Sequence, residues 1–258
     1  MDKPPELDFF DCNVWLGRPM NLPSGHFGPT DFSAVSLRKD LDRAGIGGAL
    51  VWHIAQRDTY PLTGNELVTQ AVAGVQGLVP CWSILPTQGG EVELDGFFAA
   101  AREAGVKAFR AFPGPNRYPF RAEVVGDWLE RMTACRVPLV LSVPGDVSWD
   151  GLYDLMRDFP ELTVIVTSMG AWGSDRLFRP LLDAHPNVYV ETSGHIVDGG
   201  VEAFVTRYGP GRLLFGSGYP ALHFGGCMLM VAHAQIEPQA KSAIAGGNFR
   251  RLMGQVKL

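Results

Sequence analysis

The chain has 258 residues, 46% of them hydrophobic and 19% charged, which predicts a large core and excludes general disorder. A net charge of −5 with no run of Lys or Arg argues against nucleic acid and against an anionic membrane surface as partners. No apolar stretch approaches the ~20 residues of a membrane span, and the opening "MDKPPELDFF" has no secretory apolar region.

Short runs rich in Val, Ile and Phe recur in chain order. The first is "LDFFDCNVW" from 7, followed by the loop "GRPMNLPSGHFGPTD" at 17–31, which is too rich in Gly and Pro for a helix and reads as a lid or rim carrying His26. Then come "GALVWH" from 48, "GLVPCWSIL" from 77, "VKAFRAF" from 106 and "PLVLSV" from 138. "LTVIVTS" from 162, "NVYVETS" from 187 and "RLLFGS" from 212 complete the set. Successive starts lie 24 to 41 residues apart, the length of one strand–helix unit. The intervening segments carry helical stripes, Val124, Val125, Trp128, Leu129 and Met132 in one and Leu152, Leu155, Met156 and Phe159 in another. Eight such units predict an α/β fold, a single (β/α)8 TIM barrel over residues 1–258, rather than an open dinucleotide-binding sheet, whose G-x-G-x-x-G is missing after the first strand. Cys12, Cys81, Cys135 and Cys227 are scattered without C-x-x-C spacing and read as reduced core residues of a cytoplasmic protein.

Barrel active sites gather at the C-terminal ends of the strands. Simple alternation puts Phe9, Asp11, Asn13 and Trp15 on one face of the first strand, with Asn13 and Trp15 nearest the mouth. Later strand ends supply His53, Arg110, Ser142, Ser168, Glu191 with His195 just beyond, and Ser217 followed by Gly218 and Tyr219; His223 lies in the loop after the eighth strand.

These segments resemble the amidohydrolase superfamily, in particular the amidohydrolase-2 branch that includes aminocarboxymuconate-semialdehyde decarboxylase. "DCNVWLG" sits where that branch has D-x-H-x-H-x-G, "RVPLVLSV" where it has a fifth-strand His, and "TVIVTSMG" where it has H-x-G. "RLLFGSGYP" is similar to its F-G-S-D-x-P, and "AIAGGNFRRLMG" to its closing helix. The resemblance implies a hydrolase or decarboxylase with a metal at the mouth. The five positions that would hold or serve that metal are here Asn13, Trp15, Ser142, Ser168 and Gly218, which offer neither an imidazole nor an anionic donor. No metal or other cofactor is therefore expected.

Arg110 keeps its charge wherever it lies, so an inward position requires Asp11, Glu191 or a substrate carboxylate as partner. Asn13 reads equally as a substrate-orienting amide and as a paired structural one, Trp15 as a pocket wall, and Asp11 as either a brace of the barrel or an acid/base group. His53, His195 and His223 form the candidate acid/base set, with Ser142, Ser168, Glu191 and Tyr219 as further substrate contacts. Rebuilding a displaced metal site from those loop histidines, or nucleophilic catalysis by either serine, lacks any recognisable spacing. The expected function is metal-independent hydrolysis or lyase-type cleavage of a small polar, anionic or cyclic substrate, in a protein compatible with a homo-oligomer. The competing reading is a non-catalytic ligand-binding or regulatory barrel.

Overall fold

Each apolar run becomes one strand, because segments this rich in Val, Ile, Leu and Phe fit only where both faces are covered. The computed structural model describes residues 7–20, 31–170, 174–194 and 197–258. Its strands are β1 (Phe9–Leu16), β2 (Ile46–His53), β3 (Leu78–Ser83), β4 (Ala108–Arg110), β5 (Leu139–Ser142), β6 (Val164–Thr167), β7 (Val188–Glu191) and β8 (Leu213–Leu214). They form one sheet in the order β1 to β8, with parallel neighbours. Backbone bonds join its two edges: Cys12 N–H donates to the Phe215 carbonyl, Gly218 N–H to that of Asn13 and Trp15 N–H to that of Tyr219, each at 3.0 Å. The (β/α)8 barrel expected from the strand spacing is thus the fold observed.

The return segments carry α1 (Ala34–Ala44), α2 (Ala55–Asp58), α3 (Pro61–Val72), α4 (Leu94–Glu103), α5 (Ala122–Cys135) and α6 (Trp149–Asp158). After them come α7 (Asp175–Ala184), α8 (Gly200–Tyr208), α9 (Phe224–His233), α10 (Pro238–Ser242) and α11 (Asn248–Gln255). Several begin on a side-chain cap: the Ser33 hydroxyl accepts from Ser36 N–H at 3.2 Å, and that of Ser148 from Gly151 N–H at 3.0 Å. Both stripes read from the sequence lie on such helices, α5 and α6, with Phe159 as the C-cap of the latter. Among the described residues no helix is long and apolar enough to cross a membrane.

Two cores result. The larger fills the layer between sheet and helices, and the smaller fills the barrel with one side chain or more from every strand, among them Phe10, Cys12, Leu50, Trp52, Cys81, Ala108, Val140, Ile165, Tyr189 and Leu214. Phe249 and Leu252 of α11 pack into the inner cluster, the ring of Phe249 lying 5.7 Å from that of Phe10 near the start of β1.

The inner cluster corrects the simple alternation assumed for β1. Asp11 pairs with Ala49, but Val14 pairs with Val51, so three steps on β1 oppose two on β2. This bulge holds one extra residue and shifts the facing pattern. Phe9 belongs with Val14 and Leu16 to the outer core, whereas Trp15 joins Phe10 and Cys12 inside. Phe9, Asp11, Asn13 and Trp15 therefore do not share a face.

Candidate active site at the barrel mouth

Arg110 ends β4 two residues beyond the inward Ala108, so its side chain enters the barrel, and only 3% of it is exposed. One Nη donates to Asn13 Oδ1 at 3.1 Å, and the other approaches Thr167 Oγ1 at a long 3.4 Å. The guanidinium carbon lies 4.8 Å from the centre of the Trp52 ring and 5.5 Å from that of Phe112, and the two rings are themselves 5.1 Å apart, so an aromatic pair covers one side of the cation. Its ion-pair partner is Asp146, at 3.8 Å. Sequence reasoning missed Asp146, which lies in the loop after β5, where nothing but a polar residue near a strand end signals it. Asp146 Oδ2 also accepts from Ser142 N–H at 2.7 Å. Burial pushes its carboxyl up from the ordinary range, opposed by Arg110 and by that N–H.

Asp11 and Glu191, the partners expected for Arg110, make their hydrogen bonds elsewhere, although the Arg110 charge acts on Glu191 and opposes the rise of its pKa. Asp11 is fully buried, and its Oδ1 accepts from the N–H groups of Asn13 and Ser217, both at 3.0 Å. Burial raises its pKa from 3.8 to about 7, against the pull of the Ser217 hydroxyl and those two N–H groups. Oδ2 has no hydrogen-bond partner among the described residues. Glu191 points inward, since Tyr189 two residues earlier lies in the inner cluster. Its carboxylate accepts from Ser168 N–H at 3.0 Å and from both the N–H and the hydroxyl of Ser193, and burial raises its pKa. Ser168 has φ +57, a left-handed conformation uncommon for a serine, and the bond to Glu191 holds it there. Glu191 thus ties together the chain after β6 and β7. Gly216 lets this happen: a Cβ there would fall 2.6 Å from Glu191 Oε2 and 3.1 Å from Cys12 Sγ.

The remaining predicted residues divide. Trp15 stacks on Phe32 at 5.5 Å and lies 6.2 Å from Trp52. Ser142 ends β5 inside the mouth and is half-buried, whereas Ser168 is exposed. His53 alternates with the inward Trp52, so it sits on the outer side of the rim with its ring against Gly17. Its Nδ1 accepts from Ala55 N–H at 3.1 Å, and burial lowers its pKa. His223 is exposed at the start of α9, and His195 and most of the 17–31 loop lie outside the described residues. Tyr219 faces away from the mouth, with its hydroxyl donating to Asp40 of α1 at 2.5 Å and its ring stacked 4.2 Å from Phe224. A strand-end position alone did not reveal that direction.

The five positions at which the family resemblance implies a metal do not fit one. The Asn13 oxygen is already engaged by a guanidinium, whose charge would repel a second cation. Trp15 offers a stacked indole and Gly218, at φ +72, only backbone. Among the described residues no three His, Cys, Asp or Glu side chains are grouped to hold an ion.

The fold recurs in solved structures. An uncharacterized TIM-barrel protein from Bordetella bronchiseptica superposes with a TM-score of 0.74 at 17% identity, covering 96% of this chain and 99% of the other. The 5-carboxyvanillate decarboxylase of Sphingomonas paucimobilis gives 0.72 at 13% identity over 96% and 99% of the two chains. A dihydroxybenzoic acid decarboxylase from a Polaromonas species, with bound manganese and the inhibitor 2-nitroresorcinol, gives 0.70 at 16% over 96% and 97%. At such identities the likeness establishes the fold alone. No curated protein sequence matches the chain significantly. The sequence model described as amidohydrolase, however, matches residues 13–255, from the β1 bulge to the end of the closing helix. The chain belongs to the amidohydrolase family.

Proposed function

We propose that this amidohydrolase-family barrel is a hydrolase or lyase that acts on a small carboxylic acid at its C-terminal mouth without a metal. The carrying observation is Arg110: a buried, permanent cation covered on one side by two aromatic rings, whose nearest carboxylate, on Asp146, stands at 3.8 Å. A substrate carboxylate would supply the direct two-point contact that neither Asp146, at this distance, nor Glu191 makes with the guanidinium. Asp146, with its carboxyl raised by burial beside the anchor, is the group placed to exchange a proton with a ligand held there. The decarboxylases that share the fold are named for carboxylic acids, which agrees with an anionic substrate.

The test is a panel of aromatic and pyrone carboxylates, followed by thermal shift and by loss of substrate absorbance, in buffer containing a chelator. Binding is expected in the wild type, weaker in Arg110→Gln, with turnover lost in Asp146→Asn. Turnover that appears only on adding manganese or zinc would refute metal independence, and a panel that never shifts the melting temperature would refute the substrate class. Binding without turnover would favour the non-catalytic barrel, a reading supported by His53 having its Nδ1 tied to the backbone.

A further inference from the structure

We infer that Trp52, Ser83 and Arg110 form a dedicated subsite for one carboxylate group, at the ends of β2, β3 and β4; the inference rests on the proposed acid-binding role of the mouth and assigns the atoms that perform it. Three buried polar atoms there have no hydrogen-bond partner among the described residues: Trp52 Nε1, Ser83 Oγ and Arg110 Nε. Their residues are 6%, 0% and 3% exposed, so bulk solvent does not satisfy them. Buried polar groups are paired in the great majority of proteins, so three on neighbouring strands need one explanation.

The three residues are neighbours. Ser83 and Arg110 are direct partners in the β3–β4 register, and the guanidinium carbon is 4.8 Å from the Trp52 ring centre. All three residues face inward, since Trp52 belongs to the inner cluster and Ser83 and Arg110 follow Cys81 and Ala108 of that cluster by two positions. Their chemistry agrees. An indole N–H and a guanidinium N–H only donate, and a serine hydroxyl can donate. One edge of the guanidinium is also underused, because Nε is unpaired and the adjacent Nη2 reaches Thr167 only at 3.4 Å and the Asp146 carboxylate only at 3.8 Å. That edge matches the two oxygens of a carboxylate in a side-on fork. Trp52 and Phe112, tilted 40° to each other on one side of the cation, give an apolar flank that suits an aromatic ring behind the carboxylate.

The probe is benzoate, with benzamide as its neutral counterpart and inorganic phosphate as a different anion. The indole N–H signal of Trp52, assigned by its disappearance in Trp52→Phe, is followed by nitrogen–proton correlation spectra of the folded full-length chain. Benzoate is expected to move this signal saturably, benzamide to leave it in place, and Trp52→Phe and Ser83→Ala each to weaken benzoate binding about tenfold, the scale of one hydrogen bond to a charged group. Benzoate binding that Arg110→Gln abolishes but that leaves the Trp52 signal unmoved would overturn the subsite while sparing the anchor. No saturable benzoate binding would overturn both. Phosphate moving the signal where benzoate does not would overturn the carboxylate assignment. Should Ser83→Ala fail to fold, Trp52→Phe, which keeps the ring under the guanidinium, carries the affinity test with the spectra.

Discussion

Replacing Asp11 by Asn should change how stability depends on pH in a calculable way. In the native chain the Asp11 carboxyl titrates at about 7 against an ordinary value of 3.8, chiefly because it is fully buried. Below pH 4 the folded and unfolded states both hold the proton, and above pH 7 neither does. Between these limits only the folded state holds it, so wild-type stability falls as pH rises. Each pH unit is worth about 1.4 kcal/mol, and the interval amounts to about 4 kcal/mol. Asn keeps an oxygen for the N–H groups of Asn13 and Ser217 and does not ionise. Any fixed cost of its amide nitrogen, placed where Oδ2 now has no partner among the described residues, is the same at every pH. Urea denaturation of both proteins from pH 4 to 8.5 should therefore give a stability difference that moves in favour of Asp11→Asn by about 4 kcal/mol across the range. A difference that stays flat would refute the reasoning, because Asp11 would then titrate alike in both states.

Other substitutions test the packing around that group. Glu191→Gln puts an amide donor among the donors of Ser168 and Ser193 and should cost about 1–3 kcal/mol, with faster amide exchange at both serines. Gly216→Ala drives a methyl group to 2.6 Å from Glu191 Oε2 and should lower stability by about 1–3 kcal/mol in the same denaturation assay. Burial raises the thiols of Cys12, Cys81 and Cys227, the last two to about 12, so a disulfide reagent at pH 8 should modify at most the half-buried Cys135 in the native protein and all four after denaturation.

The barrel was legible because burial on both faces demands unbroken apolar runs, and those runs survive in the sequence at the spacing of strand–helix units. The β1 bulge was not, since an extra residue in a strand leaves no mark in an already apolar pattern; only the pairing of Val14 with Val51 reveals it. Arg110 was found because a charge inside an apolar strand is conspicuous, and its inward direction followed from alternation. Its partner was missed because Asp146 arrives from a loop, where direction is set by the turn. The same limitation misplaced Tyr219, whose ring turns outward to α1 and α9. Trp52 and Ser83 looked like ordinary strand residues, and what sets them apart is the lack of partners, which no sequence pattern carries.

The single extra residue between Asp11 and Val14 also divides β1 into two reading frames. Below it, even-numbered side chains fill the barrel; above it, odd-numbered ones line the mouth. Deleting that extra residue would give the strand one phase from end to end, with Trp15 two positions beyond Cys12 and still on the inner face; the bulge thus lodges an added residue at the mouth without turning either half of β1 around.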